Sequence, residues 1–389
     1  MTVAEQAPPN RRAAVARLLR RGWRPSTGDL DALRIWLVSR CAVLALTWPA
    51  EYLFNATTSG RSWLSLWQNW DAVRLAAIAQ FGYFGPPGHV TRYQVASLPG
   101  FPLVLDAVHA IARQWTVSGL VISFVAGGVA AVLLSRIAED SYGAGTGSRS
   151  VLFLVASPAA IFLAAGYSEA LFLALALGSW LAASKQRWFL AVPLAGLASV
   201  VRVNGLFLCA ALAVEILRRA GTARLRALAT FVPALVPLGC YELYLRARTG
   251  DWLAWFHAER QGWQRQFTSP VDTFKTSWTA AFGHEFSGSV SFVFQLEIVA
   301  VLVGVLTVIA LLMFRRWSEA IYTGLTIGAM ATSFWYESVP RALLLLWPLW
   351  CGLAAISARR SWIGYLYLAL AIPVSVAIGL LYLTGSWAG

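Results

Sequence analysis

Runs of about 20 apolar residues recur from residue 33 almost to the end of the chain, each long enough to cross a bilayer as a helix. Nothing else in the sequence restricts the fold so strongly. Such a chain must satisfy its backbone hydrogen bonds within each segment, so it folds as helices. Composition agrees: 58% of residues are hydrophobic and 13% are charged, about half the charge of a soluble domain. The predicted fold is an all-α polytopic membrane protein in contact with lipid along its length.

The apolar runs predict eleven spans, near 33–54, 117–136, 150–166, 168–184, 188–201, 203–217, 226–245, 290–314, 319–335, 341–357 and 361–384. Short Arg-rich connections such as "SKQR" (184–187), "RRAGTARLR" (218–226) and "RRW" (315–317) orient them, because cytoplasmic loops collect basic residues. The chain then divides into a cytoplasmic basic tail, 1–32, and one membrane domain, 33–389, with outer loops at 55–116 and 246–289. Residues 98–114 place Asp106, His109 and Arg113 on one helical face and read as an interfacial helix. "RRAAVARLLRRGWR" (11–24) fits either a basic helix on anionic lipid or a solvated tail, and no cleavage site follows it.

The net charge of +13 is spread over these short loops and does not indicate nucleic acid. Cys41, Cys209, Cys240 and Cys351 lie in apolar runs without CxxC spacing, which predicts packed thiols with no disulfide or metal role. No internal repeat is visible, and the two large loops both lie outside. That asymmetry favours work on the outer face over the paired halves of a transporter.

Four motifs fall on that face: "NWDAVRLAAIAQFGY" (69–83), "SPAAIFLAAGYSEALF" (157–172), "VRVNGL" (201–206) and "YESVPRALLLLWP" (336–348). Asp71 is the single acid between Tyr52 and Ala96. Ions at a membrane interface are costly and point to function, so Asp71, Glu169, Arg202 and Arg341 are expected to converge. Two carboxylates and two guanidiniums suit sugar transfer from a lipid phosphate. A carboxylate takes the proton of an acceptor hydroxyl, and arginines match the oxygens of a leaving phosphate. Trp63, Trp67, Trp70 and Tyr83 offer aromatic surface to a sugar or to the lipid boundary. No Gly-rich nucleotide loop and no metal-ligand spacing appears, so neither a nucleotide donor, a cofactor nor a metal is expected.

Read in order, WD…IA..GY, FPL, P…F…YSE.LF, R.NG and the late S..R followed by Pro resemble the PIG-V-like mannosyltransferases. These are the GPI-anchor second-mannose transferases and their bacterial relatives, multi-span enzymes of the GT-C class. The resemblance implies mannose transfer, with inversion, from a polyprenyl-phosphate-mannose donor to a glycolipid or glycan acceptor on the non-cytoplasmic side. It makes Asp71 the base and matches Glu169 to the acid of the YSE motif. Trp70, Tyr167, Arg202, Asn204 and Arg341 fall on the remaining motif positions. Arg74 and Leu75 depart from two family aromatics, and "FPLVL" (101–105) departs from FPLYP, which opens the identity of acceptor and sugar. Only Lys185 and Lys275 are lysines, a composition that fits a GC-rich genome, hence a bacterial plasma membrane with the site facing outward (the ER membrane in a eukaryote).

Rival readings stay open from sequence. Asp71 and Glu169 can serve as helix N-caps, Arg202 and Arg341 as interface anchors, and Arg40 as an ion-pair partner inside the first span. Arg74 lies one turn from Asp71 and is expected to pair with it and depress its pKa. His109 and His257 read as structural, and "DWLAWFHAERQGWQRQF" (251–267) as an aromatic belt or a lid. Asn55-Ala56-Thr57 is a sequon of consequence only in a eukaryotic secretory setting. A transferase for another lipid-linked sugar such as a pentose, a lipid-sugar flippase and a silent scaffold are the alternative functions.

Overall fold

The computed structural model describes residues 26–53, 60–86 and 88–389, and these form helices without a sheet. The basic tail segment 11–24 and the sequon at Asn55 lie outside the described residues. Four helical runs are long and apolar enough to cross a membrane: α4 (Trp115–Tyr142), α9 (Gly221–Thr249, interrupted by turns), α12 (Gly288–Met313) and α16 (Ser361–Leu383). The other predicted spans are also helical but shorter or broken. They are α1 (Thr27–Ala45), α5 (Thr146–Val155), α6 (Glu169–Ser184), α7 (Trp188–Ser199), α8 (Asn204–Arg219), α13 (Trp317–Ala331) and the pair α14 (Val339–Leu344) and α15 (Trp347–Arg359). At 1.5 Å per residue, a helix of 16 residues reaches only about 24 Å, short of a 30 Å hydrocarbon core. Several of these segments therefore end inside the protein, and their ends carry the polar residues described below.

The first outer loop is built of juxtamembrane helices, α2 (Asp71–Phe81) and α3 (Gly100–Ala112), joined by short 3-10 turns. The second holds α10 (Ala254–Trp263) and α11 (Pro270–Phe282).

α1 starts with a capping box. The Ser26 hydroxyl accepts from the Asp29 amide, and the Asp29 carboxylate accepts from the Ser26 amide. The same carboxylate takes two 2.8 Å bonds from Arg136 on α4, tying the first two long helices at their far end from the site. Trp36 packs into the α1–α4 seam and donates its indole N–H to the Phe124 carbonyl at 3.1 Å.

Arg40 is buried but has no ion-pair partner among the described residues. Its guanidinium stacks on Trp36 at 4.2 Å and its Nε bonds Ser39, which corrects the expected ion pair. No described cysteine is bridged. Cys209 and Cys351 are packed thiols as expected, whereas Cys41 and Cys240 are exposed on outward helix faces. Trp67 and Tyr83 are also corrected: both are buried, Trp67 completely, and neither can offer a ring to a ligand. His109 stacks flat on Trp115 at 3.6 Å, a packing role.

Two close approaches bring the motif segments together. Gly119 on α4 faces Gly166 so tightly that a Cβ on Gly119 would stand 2.8 Å from the Gly166 Cα. That contact seats the Tyr167-Ser168-Glu169 turn against α4. The second is at the R.NG motif, where a Cβ on Gly205 would meet the Ser199 amide at 2.2 Å. Only glycine lets α8 begin so close to the end of α7, and this forces the Arg202 turn into the protein.

Candidate active site

Asp71 opens α2, but it does not cap it. The N-cap position is Trp70, which makes no side-chain cap bond, and both Asp71 oxygens are taken by arginines. Oδ1 lies 2.8 Å from Nη1 of Arg74 and Oδ2 lies 2.9 Å from Nη2 of Arg341. Glu169 likewise is no cap, since Ser168 at the N-cap makes no side-chain cap bond to α6. Its Oε1 accepts from Arg341, at 2.8 Å from Nε and 2.7 Å from Nη2, and pairs with Arg202 Nη1 at 3.0 Å. Arg202 also donates to the Ser168 hydroxyl at 2.9 Å. Four residues far apart in sequence thus form one chain of ion pairs, Arg74–Asp71–Arg341–Glu169–Arg202.

Burial sorts their roles. Glu169 is fully enclosed, and Arg341 is nearly so, with its guanidinium against the rings of Phe162 and Tyr167 at 4.7 and 4.8 Å. Asp71, Arg74 and Arg202 keep 20–25% of their side chains exposed and line a cavity of about 120 Å³, room for several waters. Burial raises the Asp71 pKa, but the charges of Arg341 and Arg74 outweigh it and hold the carboxyl below its ordinary range.

The backbone around Asp71 is pinned from four directions. Trp70 sits at φ 53° and ψ −118°, a strained conformation for a residue with a side chain. Its indole donates to the Ser386 carbonyl at 3.2 Å. Asn69 donates to the Leu66 and Tyr382 carbonyls, both at 2.8 Å, and accepts from Arg61 at 3.2 Å. The Tyr167 hydroxyl accepts from the Asp71 amide at 3.2 Å and donates to the Asn69 carbonyl at 3.3 Å. On the other side, Ser338 adopts a left-handed turn before α14. Glu297, buried on α12, accepts from the amides of Ser338 and Val339 at 2.8 and 2.7 Å and so fixes the helix that carries Arg341.

The structure brings together Asp71, Glu169, Tyr167, Arg74, Arg202 and Arg341. Asn204 borders the cavity while bonding Thr326 at 3.3 Å. Trp70 is half exposed and lies outside the cavity lining. Sequence reasoning did not single out Asn69, Arg61, Glu297, Tyr382, Glu259 or Arg265. Glu259 and Arg265, both from the second outer loop, line the cavity beside Asp71. The expected reading of that loop as a belt or a lid resolves toward the site: Trp255 and Trp263 line it too. With Glu169 counted, Arg74, Arg202, Arg265 and Arg341 outnumber the carboxylates Asp71, Glu169 and Glu259 by one, so the pocket attracts an anion.

A second, apolar groove of about 790 Å³ adjoins the cavity and shares Leu98, Val203, Trp255, Glu259, Arg265 and Met330 with it. Leu206, Phe207, Leu238, Phe256 and Phe267 extend it away from the charges.

A family model described as mannosyltransferase (PIG-V) matches residues 61–232. No curated protein matches the chain. Across residues 61–232, which carry Asp71, Glu169 and Arg202, the chain is a PIG-V-like membrane mannosyltransferase.

Proposed function

We propose that the protein transfers mannose from polyprenyl-phosphate-mannose to a hydroxyl of a glycolipid or glycan on the non-cytoplasmic face, with Asp71 as the general base. The observation that carries this reading is the continuity of the Asp71 cavity with the apolar groove. A prenyl tail suits the groove, and a sugar phosphate suits a cavity walled by one carboxylate base and several arginines.

In the proposed step the acceptor oxygen attacks the anomeric carbon while its proton passes to Asp71. The bond from the anomeric carbon to the phosphate oxygen breaks, and its electron pair leaves with polyprenyl phosphate, inverting the centre. A carboxylate with a low pKa is a modest base, but it is fully ionised at neutral pH. It takes the proton once bond-making has made the hydroxyl acidic. Arg202 and Arg265 border the cavity and carry the growing phosphate charge, so no metal is required. Arg341 is a positioning residue in this scheme, because its donors are spent on Glu169 and Asp71. Tyr167 holds the Asp71 backbone, and Trp70 acts through the strained turn that aims it.

The test is transfer by purified protein from polyprenyl-phosphate-mannose to extracted cell-envelope glycolipids, read by mass spectrometry. Asp71→Asn keeps the size and loses the base, and the expected loss is ~10²–10⁴-fold. Retention of more than roughly a tenth of the wild-type rate, well short of that loss, would assign the base elsewhere. Absence of any mannosylated product from the wild type would sink the donor assignment.

A further inference from the structure

One face of α10 is turned into the charged cavity. Trp255, Glu259 and Trp263 follow one another every fourth residue, a helical turn apart, and all three line it. Their surroundings differ. Trp263 lies under the Arg74 guanidinium at 4.4 Å and braces the cation that pairs with Asp71. Trp255 is anchored by its indole N–H to the Ala96 carbonyl at 3.0 Å, and it borders both the cavity and the apolar groove. Glu259, between them, also borders both.

Glu259 is the carboxylate whose hydrogen bonding is incomplete. Its side chain is 12% exposed, and Oε2 is closed off from solvent without a hydrogen-bond partner. Its nearest cation, Nη1 of Arg265, stands 3.5 Å away, an ion pair but not a hydrogen bond. A buried oxygen left unsatisfied is costly, and such groups call for a partner the protein does not itself supply.

Position narrows what that partner is. A ligand with its tail in the groove and its reacting carbon near Asp71 must pass a phosphate and a sugar between those two points, along the face that Glu259 occupies. Beside phosphate a carboxylate is repelled, and Arg202 and Arg265 already serve that charge. Beside a sugar it is useful, since a hydroxyl donates to it and an aromatic wall packs on the C–H face of the ring. Burial raises the Glu259 pKa and the Asp71 charge adds to this, with Arg265 opposing, so the group can hold a proton and donate as well as accept.

We propose that Glu259 binds the transferred sugar, taking a hydrogen bond from one of its hydroxyls through Oε2, with Trp255 as the ring's wall at the mouth of the groove. The assignment rests on the lipid-phosphate-sugar reading given above and adds the residue that tells the sugar from the bare phosphate.

The experiment compares two probes on the purified full-length protein, polyprenyl phosphate and polyprenyl-phosphate-mannose, by binding and, for the second, by donor KM and kcat. The wild type is expected to bind the mannosylated lipid more tightly. Glu259→Ala should erase that difference and raise the donor KM on the order of tenfold, with kcat changed less and bare polyprenyl phosphate bound as before. Glu259→Gln retains one acceptor oxygen and should fall between the two. It also carries the comparison if the alanine variant does not fold. A preference for the mannosylated lipid that survives both substitutions, or equal weakening toward both probes, would overturn the assignment of Glu259 while leaving the transferase reading intact. Failure of the wild type to bind either lipid would overturn the transferase reading, and the assignment with it.

Discussion

Arg341 and Glu169 meet twice: Nε and Nη2 of the arginine lie 2.8 and 2.7 Å from the same carboxylate oxygen, and Glu169 is shut off from solvent. The remaining reach of Nη2 goes to Asp71 at 2.9 Å. One guanidinium therefore holds the proposed base and is itself held by a buried anion. The arrangement explains why a site for chemistry on an anion spends two acids on one arginine. Glu169 fixes the direction of Arg341, and Arg341 fixes the direction of Asp71.

Removing Arg341 should thus do two separable things. Arg341→Ala leaves Glu169 buried without its main partner, and breaking such a pair costs about 3–5 kcal/mol. The variant should express poorly or melt well below wild type. Arg341→Lys keeps a cation near Glu169 but cannot reach both carboxylates with a planar fork. It should fold, with transfer reduced on the order of 10²-fold through misplacement of Asp71. Differential scanning fluorimetry and the transfer assay read the two effects, and a lysine variant with wild-type turnover would dissociate Asp71 from Arg341.

A second expectation concerns pH. Arg341 and Arg74 hold the Asp71 carboxyl below its ordinary range against the opposing effect of burial. The acid limb of kcat against pH, where Asp71 sets it, should then lie below the usual carboxylate range. Arg74→Gln removes one of the charges that favour the ionised form, so the Asp71 pKa rises and the acid limb moves to higher pH. An unchanged limb in Arg74→Gln would mean that another group sets it.

Much of this was legible in advance, for identifiable reasons. Helices are read from apolar runs, and α4, α12 and α16 fall within a few residues of the expected segments. The ion-pair members were legible because charge in an apolar context is rare, and the Arg74–Asp71 pair because it is local. The break inside 150–166 was not expected, although Ser157-Pro158 stands at that point and α5 ends at Val155. Glu297 was missed despite a readable signal, a lone acid inside an apolar span. The Asn69–Tyr382 bond was not readable, since it joins residues 313 positions apart with nothing local to announce it. Trp67 and Tyr83 misled because an aromatic in a loop looks the same whether it packs inward or outward.

Far from the site, Asp29 ties α1 to α4. Its bonds from Arg136 hold the carboxyl at about 2, below the ordinary 3.8, against the effect of burial. A depressed pKa stabilises the fold fully above the ordinary value, and this contribution fades as pH falls through about 2. Arg136 is 30% exposed, so solvent screening reduces the effect to about 1–2 kcal/mol. Asp29→Asn should lower Tm at neutral pH and leave kcat unaltered, as the pair is remote from Asp71. Equal melting of variant and wild type at pH 7 would show the pair to be energetically silent.

The last expectation concerns sidedness, on which the donor depends. Arg218, Arg219, Arg224 and Arg226 surround the turn after α8, and short loops this rich in arginine stay in the cytoplasm. α8 begins beside the cavity at Asn204 and ends at Arg219, so the cavity should face the opposite side of the membrane. Thr222 in that turn and Gln261 on α10 are both exposed and suit labelling. Cys41 and Cys240 are exposed as well, so each is replaced by serine first. In intact cells a membrane-impermeant maleimide should then modify Gln261→Cys at once and Thr222→Cys only after the cells are opened. The reverse pattern would put Asp71 on the cytoplasmic side, where an outward-facing lipid-phosphate sugar could not reach it, and the proposed donor would have to be abandoned.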